Sequence, residues 1–381
     1  MAMLKAGSLS AGLCALLFMA GCASEPPPVP PAKLVPITTE VELLRLWSSR
    51  VGEVGRGRFE PLVTEEQVVV ADRRGKVSSF SRDNGMRLWA SELDVRLNSG
   101  VGGDDARVYV SDIDGTVHAL DGRTGQLLWQ SQASSEILVP VSAGYGSVLV
   151  RSTDGRIVAL EPQDGSERWS VSNTPPALTL NGYSRPALLA GGVLVGLDDG
   201  RLLALNLDNG KLIWETVVSV PSGRSEVERL VDIDADIMLD DEGIYVANYQ
   251  GKVARIEPRR GQIVWSNPVS TGAGIALNDD SLILVDDNDT VHRLDKQTGR
   301  ILWSNETMPG RRLSPPSFTP AGDIVAGDVE GYVHVLDLSS GRSIGRTRLS
   351  EEPIKARPVT TRDAVVVQAT DGLIAAYRFA R

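Results

Sequence analysis

Cysteine is nearly absent from this sequence: only Cys14 and Cys22 occur among 381 residues. The chain beyond Cys22 can therefore form no disulfide, no thiolate metal site and no cysteine nucleophile. Aromatic residues are also few, at 5%, and acidic residues outnumber basic ones, which gives a formal net charge of −10. Phosphate binding requires a basic surface, so this charge argues against a nucleic-acid partner.

Long apolar runs are missing except for residues 6–20, which follow the single positive charge of Lys5. This run is too short to span a membrane comfortably but suits the core of a secretory signal peptide. It ends in Met19-Ala20-Gly21-Cys22, which resembles the bacterial lipobox. The resemblance implies a signal peptide over residues 1–21, cleavage before Cys22 and acylation of that cysteine. An ordinary secretory signal with an incidental cysteine is the alternative.

Residues 22–36 contain the Pro-rich stretch EPPPVPPAKLVP. Such segments are extended and semi-rigid, so we expect a tether between the lipid anchor and a folded domain over residues 37–381. Stable attachment requires more than one acyl chain, and bacterial lipoproteins usually carry three. Ala23 and Ser24 replace the aspartate that retains lipoproteins at the inner membrane. The resemblance therefore implies the periplasmic face of the outer membrane.

The folded region repeats one pattern, seen best from Asp114 to Trp129 in DGTVHALDGRTGQLLW. A Gly turn opens a short strand, a second turn follows, and a second strand ends in tryptophan. An apolar β-branched run precedes each first turn. The first-turn position recurs eight times at intervals of 38 to 51 residues, at Gly75, Gly115, Gly155, Gly200, Gly251, Asp289, Gly331 and Gly372.

Four short strands in a unit of about forty residues are typical of one β-propeller blade. Helical periodicity is scarce between the turns, so the sequence predicts an all-β, eight-bladed propeller of four-stranded blades. The last copy ends at Arg381, just after its third strand. Leu43 to Trp47 has a strand pattern but no preceding hairpin, and we predict that it pairs into the last blade. This pairing closes the ring and removes its open edges.

The unit from Ala119 to Trp129 resembles the tryptophan-docking motif of quinoprotein-type propellers, the PQQ-like repeat. In that family each tryptophan packs between neighbouring blades. An indole suits this position because it buries a large apolar area while its N–H meets a backbone acceptor. We assign this structural role to Trp47, Trp89, Trp129, Trp169, Trp214, Trp265 and Trp303.

The repeat family also raises an enzyme hypothesis, a dehydrogenase that uses pyrroloquinoline quinone (PQQ). Such enzymes hold the quinone on the propeller axis, usually with Ca²⁺, a catalytic aspartate and often a vicinal disulfide. The mature chain has no cysteine pair, and fold alone does not determine function. We therefore expect no cofactor and no catalytic residues, with the dehydrogenase kept as the alternative.

Two groups of residues could suggest a metal site. His118, His292 and His334 occupy the same slot in three different repeats, so they point the same way and cannot converge on one ion. The stretch from Asp232 to Asp236 begins like a calcium loop but lacks the glycine and glutamate that such a loop needs at its sixth and twelfth positions. We predict no metal site.

The repeat period stretches at two inserts, residues 173–186 (NTPPALTLNGYSRP) and residues 220–236 (VPSGRSEVERLVDIDAD). Binding residues concentrate on loops held by a rigid scaffold, and apolar residues with a charged rim suit a protein-binding patch. Long loops without a role are the alternative, because insertions in surface loops cost little stability.

The lipobox, the tether, the eight repeats and the two inserts together resemble the BamB family, the propeller lipoproteins of the outer-membrane β-barrel assembly (Bam) machinery. LTLNG is similar to the family's L-x-L-R-G loop, and RLVDID matches its R-L-x-D-x-D loop. In that family these loops dock onto a POTRA domain of the barrel protein BamA. The resemblance implies six contact candidates, with asparagine in place of the family's arginine at one of them: Leu178, Leu180, Asn181, Arg229, Asp232 and Asp234.

The resemblance implies a non-enzymatic scaffold that binds BamA and assists the insertion of β-barrel proteins into the outer membrane. Unfolded outer-membrane proteins are further candidate partners, for example by strand addition to a sheet edge. Besides the dehydrogenase, a periplasmic propeller with an unrelated protein partner stays open.

Overall fold

The computed structural model of the protein describes residues 29–54, 57–180 and 184–381. Within these ranges the chain forms thirty-two strands and one short 3-10 helix, Val227–Arg229. The strands make eight separate four-stranded antiparallel sheets. The first strands of neighbouring sheets contact one another, so they line a common axis. The predicted all-β, eight-bladed propeller is confirmed.

The first four blades are continuous in sequence, and each is given from its axial strand outward. Blade 1 contains β2 (Leu62–Val63), β3 (Gln67–Ala71), β4 (Lys76–Ser81) and β5 (Arg87–Glu92). Blade 2 contains β6 (Leu97–Gly103), β7 (Arg107–Asp112), β8 (Thr116–Asp121) and β9 (Leu127–Gln132). Blade 3 contains β10 (Ser142–Gly144), β11 (Ser147–Arg151), β12 (Arg156–Leu160) and β13 (Glu167–Ser172). Blade 4 contains β14 (Ala187–Leu189), β15 (Gly192–Gly196), β16 (Arg201–Asn206) and β17 (Leu212–Val217).

The remaining blades continue the pattern, and the last one recruits the N-terminal strand. Blade 5 contains β18 (Met238–Leu239), β19 (Ile244–Ala247), β20 (Val253–Ile256) and β21 (Ile263–Asn267). Blade 6 contains β22 (Gly274–Leu277), β23 (Ser281–Val285), β24 (Val291–Asp295) and β25 (Ile301–Asn305). Blade 7 contains β26 (Ser317–Phe318), β27 (Ile324–Gly327), β28 (Tyr332–Leu336) and β29 (Ser343–Arg348). Blade 8 contains β30 (Val359–Thr360), β31 (Val365–Gln368), β32 (Leu373–Ala380) and β1 (Glu42–Arg50).

Ring closure follows the prediction. Strand β1 pairs antiparallel with β32, with Glu42 opposite Ala380 and Arg50 opposite Leu373. The N-terminal strand therefore supplies the outer strand of blade 8, and the two ends of the chain close one sheet. This pairing removes the two open edges that a linear array would expose.

The core lies between the blades, where the second and third strands of each blade are buried. Strand β3 is buried along its whole length, which explains its run of β-branched valines, since such residues fit a pleated surface packed on both faces. One cluster joins Val69 of blade 1 to Val108 and Val110 of blade 2. Comparable clusters recur around the ring, so each blade is stabilised mainly by its neighbours.

Each tryptophan joins its own blade to the next. Trp89, at the outer strand of blade 1, donates its indole N–H to the Gly122 carbonyl of blade 2 at 3.0 Å, and its ring covers Gly125. Gly125 has φ +72° and no room for a Cβ beside the indole, so this turn requires glycine. The other six indoles donate to carbonyls of the following blade at 2.7–3.0 Å, from Trp47, Trp129, Trp169, Trp214, Trp265 and Trp303.

The connections define two faces of the ring. Strands alternate in direction within every blade, so the turn between second and third strands lies on the same face as the connection to the next blade. We call this the connection face. The opposite face, which carries the first–second and third–fourth turns, is the hairpin face. In the part of the chain that the structure describes, no helix is long and apolar enough to cross a bilayer.

Candidate partner-binding site

Both inserts lie on the connection face. The first joins β13 to β14 and the second joins β17 to β18, so both are connections between successive blades, at blades 3 to 5. The stretched repeat period therefore places two long loops side by side on one face of the ring.

The second insert has an exposed half and a buried half. Residues 220–229 are exposed, and they include the 3-10 helix and an ion pair between Glu226 and Arg229. The chain then turns inward: Leu230 is 6% exposed and Ile233 is fully buried. Ile233 packs in the core cluster between blades 4 and 5. This burial anchors the base of the insert in the ring.

Asp232 connects the two inserts. Its side chain is fully buried, and its Oδ2 atom accepts a hydrogen bond from the backbone N–H of Leu180 at 2.7 Å. No described residue donates to its Oδ1 atom. Burial raises the pKa of Asp232 to about 6, and the nearby Asp198 carboxyl acts in the same direction while the Leu180 N–H opposes it.

Two further hydrogen bonds hold the inserts together. The Ser184 N–H donates to the Ile233 carbonyl at 3.3 Å, and the Arg185 N–H donates to Asp236 Oδ1 at 3.1 Å. The first insert is therefore fixed on both sides of residues 181–183 by the buried half of the second insert. This arrangement holds the loop that carries Leu178 and Leu180 at the surface.

The outer surface of the two inserts is apolar with charges beside it. Leu178 and Leu180 are each 41% exposed, and on the second insert Val220 and Val227 are 72% and 58% exposed. Arg229, in the same 3-10 helix as Val227, is also exposed. Exposed aliphatic side chains on a rigidly held loop, with charged neighbours, are suited to contact another protein. We call Leu178, Leu180, Val220, Val227 and Arg229 the insert patch.

The candidate contacts from the sequence thus divide into two groups. Leu178, Leu180 and Arg229 are accessible, whereas Asp232 and Asp234 are 0% and 9% exposed. In the free protein both carboxylates are almost inaccessible, and their direct contact with a partner stays a prediction. Within the ring, Asp232 accepts the Leu180 N–H and so positions the Leu180 loop. Two predicted sites, Asn181 and Cys22, lie outside the described residues.

An ion network at the axis supports the inserts and was not visible from the sequence. Arg58, in the segment before blade 1, donates to Glu60 at 2.7 Å and also pairs with Asp236. Arg185 pairs with Glu60 from the other side. Although burial acts in the opposite direction, Arg58 and Arg185 hold the pKa of the Asp236 carboxyl well below its usual range. Both inserts are therefore joined through the axis to blade 1.

A cavity of about 290 Å³ opens beside this network on the connection face. Its lining carries Arg312, Lys355 and Arg357 as well as Arg58 and Asp236. Within the described ranges, no group of three or more His, Cys, Asp and Glu residues is placed to hold a metal ion. Apolar and small residues make up most of the remaining lining, so the cavity carries both basic side chains and carboxylates of the ion network on a largely apolar wall.

The three histidines each contact an aspartate of their own blade. His118 Nε2 lies 2.8 Å from Asp112 Oδ2, and His334 Nε2 lies 2.7 Å from Asp328 Oδ2. The third pair, in blade 6, repeats the arrangement at 3.2 Å. The same aspartates accept backbone N–H groups of the turn between second and third strands. The histidines therefore support repeated turns and do not approach one another.

These features define a class of protein: a closed propeller of PQQ-like repeats whose two irregular loops form an accessible patch on one face. Within this class the chain belongs to the BamB family. Residues 73–305 match the family described as outer membrane protein assembly factor BamB. The chain is 39% identical over 373 residues to outer membrane protein assembly factor BamB of Pseudomonas aeruginosa, covering 96% of this chain and 98% of the relative.

Solved structures agree with this assignment. The crystal structure of BamB from Moraxella catarrhalis superposes with a TM-score of 0.81 at 26% identity, covering 88% of this chain and 99% of that one. A quinohemoprotein alcohol dehydrogenase from Comamonas testosteroni reaches a TM-score of 0.72 at 13% identity, over 88% of this chain and 76% of that one. The latter similarity concerns the fold alone.

Proposed function

We propose that this protein is a non-enzymatic scaffold subunit of the outer-membrane protein assembly complex, and that the insert patch binds a POTRA domain of BamA. The observation that carries the proposal is the hydrogen bond from the Leu180 N–H to the buried carboxylate of Asp232. It fixes an exposed leucine loop to the core of the ring. A loop held in this way loses little conformational entropy on binding, which favours affinity.

In this proposal, Leu178 and Leu180 are the anchors and Arg229 belongs to the rim. Interfaces depend on a few central side chains that become fully desolvated, whereas rim charges contribute less. Both leucines already expose 41% of their surface in the free protein, so docking can bury them further without rearranging the loop. Asp232 acts indirectly, because it determines where the Leu180 backbone lies.

We further propose that Cys22 is acylated and holds the propeller on the periplasmic face of the outer membrane. The lipobox and the absence of aspartate after Cys22 support this location, as does the name that the family carries, outer membrane protein assembly factor. The anchor and the insert patch would then act together, since both bring the ring to a membrane-bound partner.

The non-enzymatic role is supported by the axis of the ring. Quinoprotein dehydrogenases bind their cofactor there, whereas in this chain Arg58, Glu60, Arg185 and Asp236 join in ion pairs across the same region. Each charge of this network is met by a neighbour of opposite sign, which is the pattern of a structural network.

Co-purification tests the proposal directly. Affinity-tagged protein is expected to recover BamA from solubilised outer membranes, and Leu180→Glu is expected to lose most of that recovery. Equal recovery by both proteins would show that the insert patch is not the BamA-binding site.

A second experiment tests the enzyme alternative. Purified protein mixed with PQQ, Ca²⁺ and an alcohol is expected to show neither a bound chromophore nor oxidation of the alcohol, and either signal would favour the dehydrogenase.

A further inference from the structure

The described part of the Pro-rich segment is not a free spacer. Residues 29–41 run along the outside of blade 7, antiparallel to β29. On the connection face, the Ala32 N–H donates to the Pro309 carbonyl at 2.9 Å. Midway, Arg346 donates to the Val35 carbonyl at 3.2 Å. On the hairpin face, the Glu40 N–H donates to the Ile344 carbonyl at 2.8 Å. We call residues 29–41 the strap.

Arg311 holds the end of the strap that lies on the connection face. This arginine is 1% exposed, and all three of its guanidinium nitrogens are used. Its Nη1 atom donates to the Ala32 carbonyl at 2.6 Å, while the other two nitrogens donate to Asp328 and Glu330, each at 2.6 Å. A buried cation that is balanced by carboxylates and donates to one backbone carbonyl fixes that carbonyl strongly. The strap is thus bound to the same blade that it crosses.

The fit between strap and ring is also steric. A Cβ atom on Gly310 would lie 2.6 Å from the Pro30 carbonyl oxygen and 2.8 Å from that of Val29. The backbone of the strap therefore rests directly on the loop between blades 6 and 7. Close approach of this kind requires glycine.

The strap changes where a lipid anchor can leave the domain. If the strap were released, the undocked chain would begin at Val41 on the hairpin face. The nineteen residue steps from Val41 back to Cys22 span about 65 Å when extended. With the strap in place, the docked part of the chain begins at Val29 on the connection face. The seven steps from Val29 to Cys22 span at most about 25 Å.

We infer that the strap is a positioning device that directs the connection face of the ring, beside blade 7, toward the membrane surface. The inference rests on the acylated Cys22 of the proposed function. The partner of the connection face is then the bilayer leaflet that holds the lipid chains, which must lie within the contour length of the seven residue steps between Val29 and Cys22. The insert patch lies on the same face at blades 3 to 5, so the anchor and the patch would both be on the membrane side of the ring.

Docking of the strap is tested by trypsin cleavage after the exposed Lys33 in the mature full-length chain. Gly310→Ala is expected to release the strap and to speed this cleavage by about tenfold, because proteolysis follows the population of the open segment. Gly146→Ala is the matched control. Its φ of +73° is close to the +72° of Gly310, but a Cβ there meets no atom within 4 Å. Equal cleavage rates in the two variants would contradict docking of the strap on the ring.

Orientation is tested with the acylated protein in vesicles that carry a headgroup quencher. Because the mature chain has no cysteine beyond Cys22, a fluorophore can be placed on Glu351→Cys at the connection face or on Ala321→Cys at the hairpin face of the same blade. Stronger quenching at residue 351 is expected. Equal quenching, or stronger quenching at 321, would overturn the inference.

Mass spectrometry of Cys22 separates the two proposals. If the cysteine carries no acyl chain, the anchor in the proposed function is wrong and the orientation inference falls with it, while the cleavage experiment still decides whether the strap is docked. If the cysteine is acylated and the quenching is equal, only the orientation inference is overturned.

Discussion

A Cβ atom on Gly345 would lie 2.5 Å from the carbonyl oxygen of Val41. Gly345 stands where six other blades of the ring carry the docking tryptophan at the same distance from their turn glycine. Val41, at the end of the strap, is 1% exposed and packs with Val335 and Ile344 at this position. The N-terminal segment therefore replaces the indole between blades 7 and 8, and the missing tryptophan is part of the ring closure.

Gly345→Ala is accordingly expected to destabilise the closed ring. The new methyl group must displace the Val41 backbone, and overpacking of this kind costs about 1–3 kcal/mol. Gly144→Ala is the control, because the nearest atom to a Cβ there is a leucine methyl at 3.6 Å. Urea unfolding monitored by tryptophan fluorescence measures both variants. A Gly345→Ala protein as stable as Gly144→Ala would contradict this explanation of the closure.

Trp169→Phe tests the role of the indole N–H between blades 3 and 4. Trp169 is 8% exposed and donates to the Leu207 carbonyl at 2.7 Å. Phenylalanine keeps most of the apolar contact but leaves this carbonyl unsatisfied, which is expected to cost about 1–3 kcal/mol. Chemical denaturation gives the difference. An unchanged free energy of unfolding would show that the ring depends only on the buried area of the indole.

Asp232 is expected to make the stability of the protein depend on pH. Its folded pKa of about 6 exceeds the ordinary value of 3.8 because of burial. The folded state therefore binds a proton more tightly than the unfolded chain, and this contribution to stability is full below the ordinary pKa and is lost as the pH rises through about 6.

Asp232→Asn isolates this contribution, since the amide oxygen can still accept from the Leu180 N–H. Relative to the parent, the variant is expected to gain stability as the pH rises from 3.8 through about 6 and to keep that gain at higher pH. Urea titrations at several pH values across that range provide the comparison. Parallel stability curves for the two proteins would show that Asp232 does not titrate in this range.

The axial ion network predicts a large effect for Asp236→Ala. The substitution removes the carboxylate that pairs with Arg58 and accepts the backbone N–H of Arg185, and breaking a buried pair typically costs about 3–5 kcal/mol. Asp241→Ala, at an exposed position of the same blade, is the control. Hydrogen exchange of the amides in residues 173–186 is expected to accelerate only in Asp236→Ala. Unchanged exchange in these residues would show that the ion network does not hold the inserts in place.

The repeat pattern predicts the fold well because each blade is encoded locally. The turn glycines, the β-branched runs and the tryptophans lie within about forty residues of one another, and Leu43 to Trp47 reveals the ring closure because it lacks a hairpin. The inserts are also predictable, since they lengthen the period at two places. What they contact is a different question, as their partners lie far away in sequence.

Burial of Asp232 and the network around Arg58 could not be predicted for this reason. Arg58 and Asp236 are separated by 178 residues, and no periodic pattern relates them. A D-x-D-x-D stretch suggests an exposed acidic loop, whereas the ring places it inside. The strap was missed similarly, because a Pro-rich composition indicates a spacer and nothing nearby in sequence points to Arg311.

The affinity of the purified protein for the isolated POTRA domains of BamA, measured by calorimetry, tests the insert patch most directly. Leu180→Glu is compared with Leu302→Glu, because both leucines are 41% exposed and Leu302 lies on the outer strand of blade 6, away from the inserts. We predict that Leu180→Glu weakens binding by at least tenfold, about 1.4 kcal/mol, while Leu302→Glu binds like the parent. Equal affinity of the two variants would contradict the claim that the insert patch is the binding site.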